Sequence, residues 1–87
     1  MLNVSIVLYR PDWKQVGALT QVLLESQYVD RVYWIDNSPQ AAEQLPLQSD
    51  CISYQHNSIN LGYGAAHNIA IRESIYDDVP FHLVINP

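Results

Sequence analysis

The sequence predicts an α/β domain with a mostly parallel sheet flanked by helices. Strand-like and helical segments follow each other in the order strand, helix, strand, loop, strand, helix, strand. The strand-like segments are nearly continuous in apolar character, which is typical of strands covered on both faces. Alternation of strands with helices favours parallel pairing through right-handed crossovers. With 87 residues, the chain has the length of one small domain, 1–87.

The first strand is predicted over residues 3–9, where β-branched and aromatic residues dominate. Pro11 ends it, and Asp12 is suited to cap the helix that follows. The apolar stripe of this helix consists of Val16, Leu19, Leu23 and Leu24. The chain is therefore expected to begin with a strand and a helix that covers the sheet.

Three further strands are predicted, at 31–35, 51–56 and 81–85. Residues 40–50 show no period and are predicted to form a loop. A second helix is predicted over 64–76, where Ala66, Ile69 and Ala70 suit close packing on a sheet.

Composition excludes several classes of protein. A net charge of −5, from nine acids and four bases, disfavours a nucleic-acid partner. No apolar run is long enough to span a bilayer, and the N-terminus lacks the basic start of a secretory signal. The single cysteine, Cys51, cannot form an intramolecular disulfide. These features predict a cytoplasmic protein.

The segment Asn60–Asn68 is the most informative part of the chain. Its two glycines come after a predicted strand and open a predicted helix, so backbone N–H groups could meet a phosphate there. The alternative is a tight loop whose small residues let the helix pack closely. No Lys or Arg occurs between Arg31 and Arg72. A bound diphosphate is therefore predicted to need backbone N–H groups, the helix dipole or a metal ion.

Four segments, in order and at family-like spacing, resemble the start of a family 2 glycosyltransferase of the GT-A fold class. They are the strand 4–11 (VSIVLYRP), the strand end 34–38 (WIDNS), the glycine segment 60–68 (NLGYGAAHN) and the strand 83–87 (LVINP). Arg10 stands where the family usually has Asn, and Ala70 where it often has Gly. The pattern is most like rhamnosyltransferases of bacterial surface polysaccharide synthesis, including O-antigen.

This resemblance implies a Rossmann-like GT-A half domain that binds a nucleotide diphosphate sugar and is truncated at its C-terminus. The complete enzyme would transfer the glycosyl group, which would be rhamnosyl if the closest resemblance holds, to a polysaccharide or lipid-linked acceptor. It would need Mn²⁺ or Mg²⁺ and would work at the inner face of the plasma membrane as a peripheral protein. The metal-binding acid and the catalytic base are expected beyond Pro87, so the 87-residue chain is expected to be inactive alone.

The resemblance also implies a set of donor-binding residues. Tyr9 would stack on the base, Asp36 and Asn37 would bind the nucleoside, and the glycine segment would shape the pocket. The full set is Tyr9, Arg10, Asp36, Asn37, Asn60, Gly62, Gly64 and Asn68.

Each assignment has a structural alternative. Asp36 could order only an Asx turn. Asn60 and Asn68 could order the loop and cap the helix, and His67, without a partner at ligand spacing, is more typical of a structural residue than of a metal ligand. The alternative function is a non-catalytic α/β module, flavodoxin-like or an interaction domain. The strand 81–85 is also expected to present an exposed apolar edge that favours self-association.

Overall fold

Four strands and two helices follow one another in the order that the sequence predicts. A computed structural model describes residues 1–87. The elements are β1 Leu2–Leu8, α1 Trp13–Glu25, β2 Val29–Asp36, β3 Ile52–His56, α2 Gly62–Tyr76 and β4 Phe81–Ile85. The predicted α/β class is confirmed.

The strands form one sheet in the order β3-β2-β1-β4, and all three pairings are parallel. Leu8 at the end of β1 pairs with Asp36 at the end of β2, and Asp36 pairs with His56 at the end of β3. The carboxyl ends of these strands therefore lie side by side. A parallel four-stranded sheet flanked by two helices is consistent with half of a Rossmann-like domain.

The helices cover different faces of the sheet, because successive side chains of a strand point to opposite sides. On one face, Val4, Ile6 and Leu8 of β1 pack in a buried cluster that includes Val16 of α1 and Trp34 of β2. Trp34 Nε1 donates to Thr20 Oγ1 of α1 at 2.9 Å, which satisfies the indole N–H in the core.

The other face carries helix α2. Val7, Tyr33 and Ile35 form a second buried cluster with Ala66 and Ala70, whose small side chains let the helix lie close to the strands. The predicted packing role of these alanines is confirmed.

The two helix starts differ in capping. Asp12 caps α1 as predicted, since its Oδ1 accepts from the backbone N–H groups of Lys14 and Gln15. Helix α2 begins at Gly62, two residues before the predicted start, and its N-cap residue Leu61 supplies no side-chain hydrogen bond. The capping role considered for Asn60 and Asn68 is therefore wrong.

Strand β4 lies at one edge of the sheet and pairs only with β1. Its side chains Phe81, Leu83 and Val84 are exposed. The predicted exposed apolar edge is therefore present. Neither helix combines the length and the apolar character needed to cross a membrane.

Candidate functional site

Polar residues gather at the carboxyl edge of the sheet. Asp36, Asn37 and Ser38 follow β2 directly and are all buried, with at most 6% of their surface exposed. Strands β2 and β3 lie on one side of β1, and β4 lies on the other. The chain therefore reverses direction across the sheet at β1, and open α/β sheets bind ligands at such a point.

The carboxylate of Asp36 is held by two donors. Its Oδ1 accepts from the backbone N–H of Ser38 at 3.0 Å, which is an Asx turn, and its Oδ2 accepts from the hydroxyl of Tyr54 at 2.6 Å. Desolvation by burial raises the pKa of Tyr54 to about 12, and the bond to Asp36 raises it further than a bond from Ala42 N–H lowers it. The phenol therefore stays a donor at neutral pH. Each carboxylate oxygen keeps a second lone pair for another donor.

Asn37 joins this turn to the glycine segment. Its Nδ2 donates to the carbonyl of Gly62 at 3.2 Å, and its Oδ1 accepts from Nδ2 of Asn57 at 2.8 Å. The backbone N–H of Asn57 in turn donates to the carbonyl of Asp36 at 2.8 Å. The turn after β2 and the start of α2 are thereby fixed to each other.

Gly62 is required by backbone geometry. Its φ is +78°, a left-handed value that other residues rarely adopt. A Cβ built at Gly62 or Gly64 meets nothing within 4 Å, so neither glycine is needed for close packing. Asn60 Oδ1 accepts from the N–H of Gly62 at 2.9 Å, which confirms the loop-ordering role of Asn60. The remaining N–H groups of the first turn of α2 have no side-chain cap.

Arg10 corrects the interpretation of the charge pattern. It lies at the end of β1, where its φ is +46° and its backbone N–H donates to Ser38 Oγ at 2.7 Å. Its guanidinium carbon lies 5.6 Å from the centre of the Tyr9 ring. Arg10 lines the same cavity as Tyr63 of the glycine segment. The segment lacks basic neighbours in the sequence, but it has one in space.

Two cavities at this edge contain most of the predicted residues. The larger, of about 620 Å³, is lined by Arg10, Trp13, Asp36, Ser38 and residues 39–43. A smaller one, of about 220 Å³, is lined by Val7, Tyr9, Asn37, Asn60, Gly62 and Tyr63.

Six of the eight predicted site residues thus converge on the carboxyl edge. Gly64 and Asn68 lie on α2, where both are exposed, and line neither cavity.

Sequence analysis missed three residues that build the site, namely Ser38, Tyr54 and Asn57. Asn57 comes directly after β3, at a strand end, so its position was a usable signal. Tyr54 lies inside β3, and only the register that pairs Asp36 with His56 brings it next to Asp36.

The residues present do not form a metal site. No group of three or more His, Cys, Asp or Glu side chains is arranged to hold an ion. Asp36 is the one buried carboxylate at this edge, and both its oxygens already accept hydrogen bonds. The need for Mn²⁺ or Mg²⁺ stays a prediction.

The chain matches no protein-family model, no curated protein and no solved structure.

Proposed function

We propose that the carboxyl edge of the sheet binds the nucleoside diphosphate of a nucleotide sugar. The observation that carries this proposal is the pair of hydrogen bonds through Asn37, which ties the buried Asp36 turn to Gly62 at the start of α2. A carboxylate and an uncapped helix start therefore lie together at a reversal point of a parallel sheet. These groups suit the two ends of such a ligand, its hydroxyls and its phosphates.

Each part of the edge has a chemical role in the proposal. The spare lone pairs of Asp36 accept from ribose hydroxyls or a base N–H. Tyr9 and Tyr63, both about half exposed, offer aromatic faces for a base. The N–H groups at the start of α2 attract the diphosphate, and Arg10 adds a positive charge.

We further propose that the chain is the donor-binding part of a GT-A family 2 glycosyltransferase. Its complete form would transfer a sugar, expected to be rhamnose, to a polysaccharide or lipid-linked acceptor at the cytoplasmic face of the membrane. A divalent ion bound there would stabilise the leaving diphosphate as a Lewis acid. The sequence resemblance alone supports this finer assignment.

The proposal is tested by titrating the ¹⁵N-labelled 87-residue chain with nucleoside diphosphates that carry uracil, thymine or guanine, with and without Mg²⁺. We expect saturable shifts of the backbone amides of Tyr9, Asn37, Gly62 and Tyr63. The nucleoside alone should shift the residues near Asp36, and inorganic phosphate those at the start of α2.

Two results would contradict the proposal. Absence of any saturable shift at millimolar nucleoside diphosphate would favour the alternative, a non-catalytic α/β module. Shifts confined to other surfaces, such as the edge strand β4, would place binding away from the proposed site.

A further inference from the structure

A continuous chain of hydrogen bonds runs between α2 and the sheet, outside the proposed ligand site. Asn3 Nδ2 lies 3.0 Å from Ser74 Oγ, which lies 2.7 Å from His82 Nδ1. His82 Nε2 lies 2.8 Å from Ser5 Oγ. The next two bonds join Ser5 Oγ to His67 Nδ1 at 2.6 Å and His67 Nε2 to Asn86 Oδ1 at 2.8 Å. We call these six side chains the relay.

The relay has only two consistent directions. A neutral imidazole has one donor and one acceptor nitrogen, and a hydroxyl has a single hydrogen to donate. If Asn3 donates at one end, both histidines carry their proton on Nε2 and Asn86 accepts through Oδ1. If every bond is reversed, both histidines carry it on Nδ1, Asn86 donates and both amides are turned over.

Asn3 decides between the two directions. It is 2% exposed, and in the first direction its Oδ1 has no hydrogen-bond partner. In the reversed direction an NH₂ group with two donors would occupy that place. Buried N–H groups without a partner are rarer in proteins than under-satisfied carbonyl oxygens. The first direction therefore has the lower cost, and both histidines are Nε2–H tautomers.

The direction fixes what Asn86 presents at the far end. Its Oδ1 is taken by His67, so its NH₂ donors remain for another partner. Asn86 follows β4 at the carboxyl edge, and the next residue, Pro87, lines a cavity with Tyr9, Arg10 and Tyr63. This cavity adjoins the proposed ligand site.

We propose that the relay residues are positioning residues that act through His67 to hold the Asn86 amide with its N–H donors toward this cavity. Asn86 then donates to an acceptor-rich group of the ligand, and a phosphate oxygen fits best. This inference rests on the proposed function for its ligand, but the direction of the relay does not depend on it.

The surroundings of the histidines agree with neutral rings. Helix α2 presents His67 and Ser74 to His82, and β1 presents Asn3 and Ser5, so no carboxylate takes part in the relay. Burial lowers the pKa of His82, and the nearby His67 lowers it further.

The first test is the tautomer of each histidine, measured by long-range ¹H–¹⁵N NMR on the histidine-labelled chain at pH 8. We expect Nε2–H signals for both His67 and His82. Ser74→Ala should remove the single tautomer of His82, while the exposed-loop control Ser58→Ala should not. Nδ1–H tautomers in the wild-type chain would overturn the proposed direction, whether or not a variant folds.

The second test addresses the ligand. Asn86→Asp keeps an acceptor for His67 but removes the donors, so we expect at least a tenfold loss of nucleoside diphosphate affinity with unchanged nucleoside affinity. An unshifted Asn86 side-chain amide on saturation with nucleoside diphosphate would overturn its role in binding. If no nucleoside diphosphate binds while both histidines are Nε2–H tautomers, the proposed function fails, the ligand role of Asn86 fails with it, and the direction of the relay stands.

Discussion

The hydroxyl of Tyr54 donates to Oδ2 of Asp36 at 2.6 Å, so a side chain of β3 fixes the carboxylate at the end of β2. The second oxygen accepts from the N–H of Ser38. A buried charge needs such partners, because an unpaired carboxylate is costly away from water. The carboxylate is therefore oriented before any ligand arrives.

The first prediction concerns this bond. Tyr54→Phe should lower the free energy of unfolding by about 1–2 kcal/mol, because it removes a donor to a charged group that is otherwise buried. Urea denaturation followed by circular dichroism measures the change. Tyr28→Phe removes a hydroxyl from an exposed tyrosine and should change stability far less. Equal effects of both substitutions would show that the bond contributes nothing.

The second prediction concerns ligand binding by Asp36. Asp36→Ala should weaken nucleoside diphosphate binding by about 1–3 kcal/mol, the cost of losing a charged hydrogen bond. Calorimetry on the chain, or on a longer form that contains it, provides the measurement. Asp50→Ala, in the exposed loop before β3, is the matched control. Unchanged affinity in a folded Asp36→Ala variant would leave Asp36 with only its role in the turn.

The third prediction separates the two glycines of the loop. Gly62→Ala should destabilise the chain by about 1–2 kcal/mol, because its φ of +78° is unfavourable for a residue with a Cβ. Gly64→Ala should be neutral or stabilising by up to about 1 kcal/mol, since it lies in helix α2 with open space around the new Cβ. Thermal unfolding compares the two, and a reversed order would contradict the backbone argument.

The bulkier Gly62→Val adds a test of ligand approach. If the ligand contacts the backbone here, a folded Gly62→Val variant should lose nucleoside diphosphate binding as well as stability. Wild-type affinity in that variant would mean that Gly62 serves only the local conformation.

The fold was predictable because its signals are local. The apolar run of β1 and the helix period of α1 are visible within windows of about ten residues, and Asp12 marks the helix start. The meeting of Asp36 with the glycine segment was also predictable, since the carboxyl ends of parallel strands share one edge.

The rest depends on contacts between residues that are far apart in sequence. Ser5 and His82 are separated by 77 positions, and each looks like an isolated polar residue in an apolar strand. Only the pairing of β1 with β4 brings them together on the face under α2. Arg10 likewise reaches the glycine segment through the sheet, although fifty-two positions separate it from Gly62.

The fourth prediction concerns pH and stability. Burial lowers the pKa of His82 in the folded chain below its ordinary value of 6.5. Between these two pKa values the unfolded chain binds more protons than the folded one, so stability falls as pH drops below about 6.5. Urea unfolding at pH 7.5 and at 5.5 measures the slope. His82→Gln should have a shallower slope than the wild-type chain over this interval, and an equal slope would exclude His82 as the source.

The last prediction concerns the edge strand β4. Its outer backbone groups have no partner strand, and it carries no charged residue and no proline between Phe81 and Ile85. Natural edge strands are usually protected by such residues, because an unprotected edge pairs with other chains. Small domains also bury a lower fraction of their surface, which leaves little stability in reserve. We therefore expect concentration-dependent self-association in sedimentation velocity. Phe81→Lys should reduce it, since this side chain is 67% exposed and a charge on an edge opposes pairing. Tyr76→Lys, at an equally exposed position on the end of α2, should leave it unchanged. A wild-type chain that stays monomeric at high concentration would contradict the prediction, and equal effects of the two substitutions would move the contact away from β4.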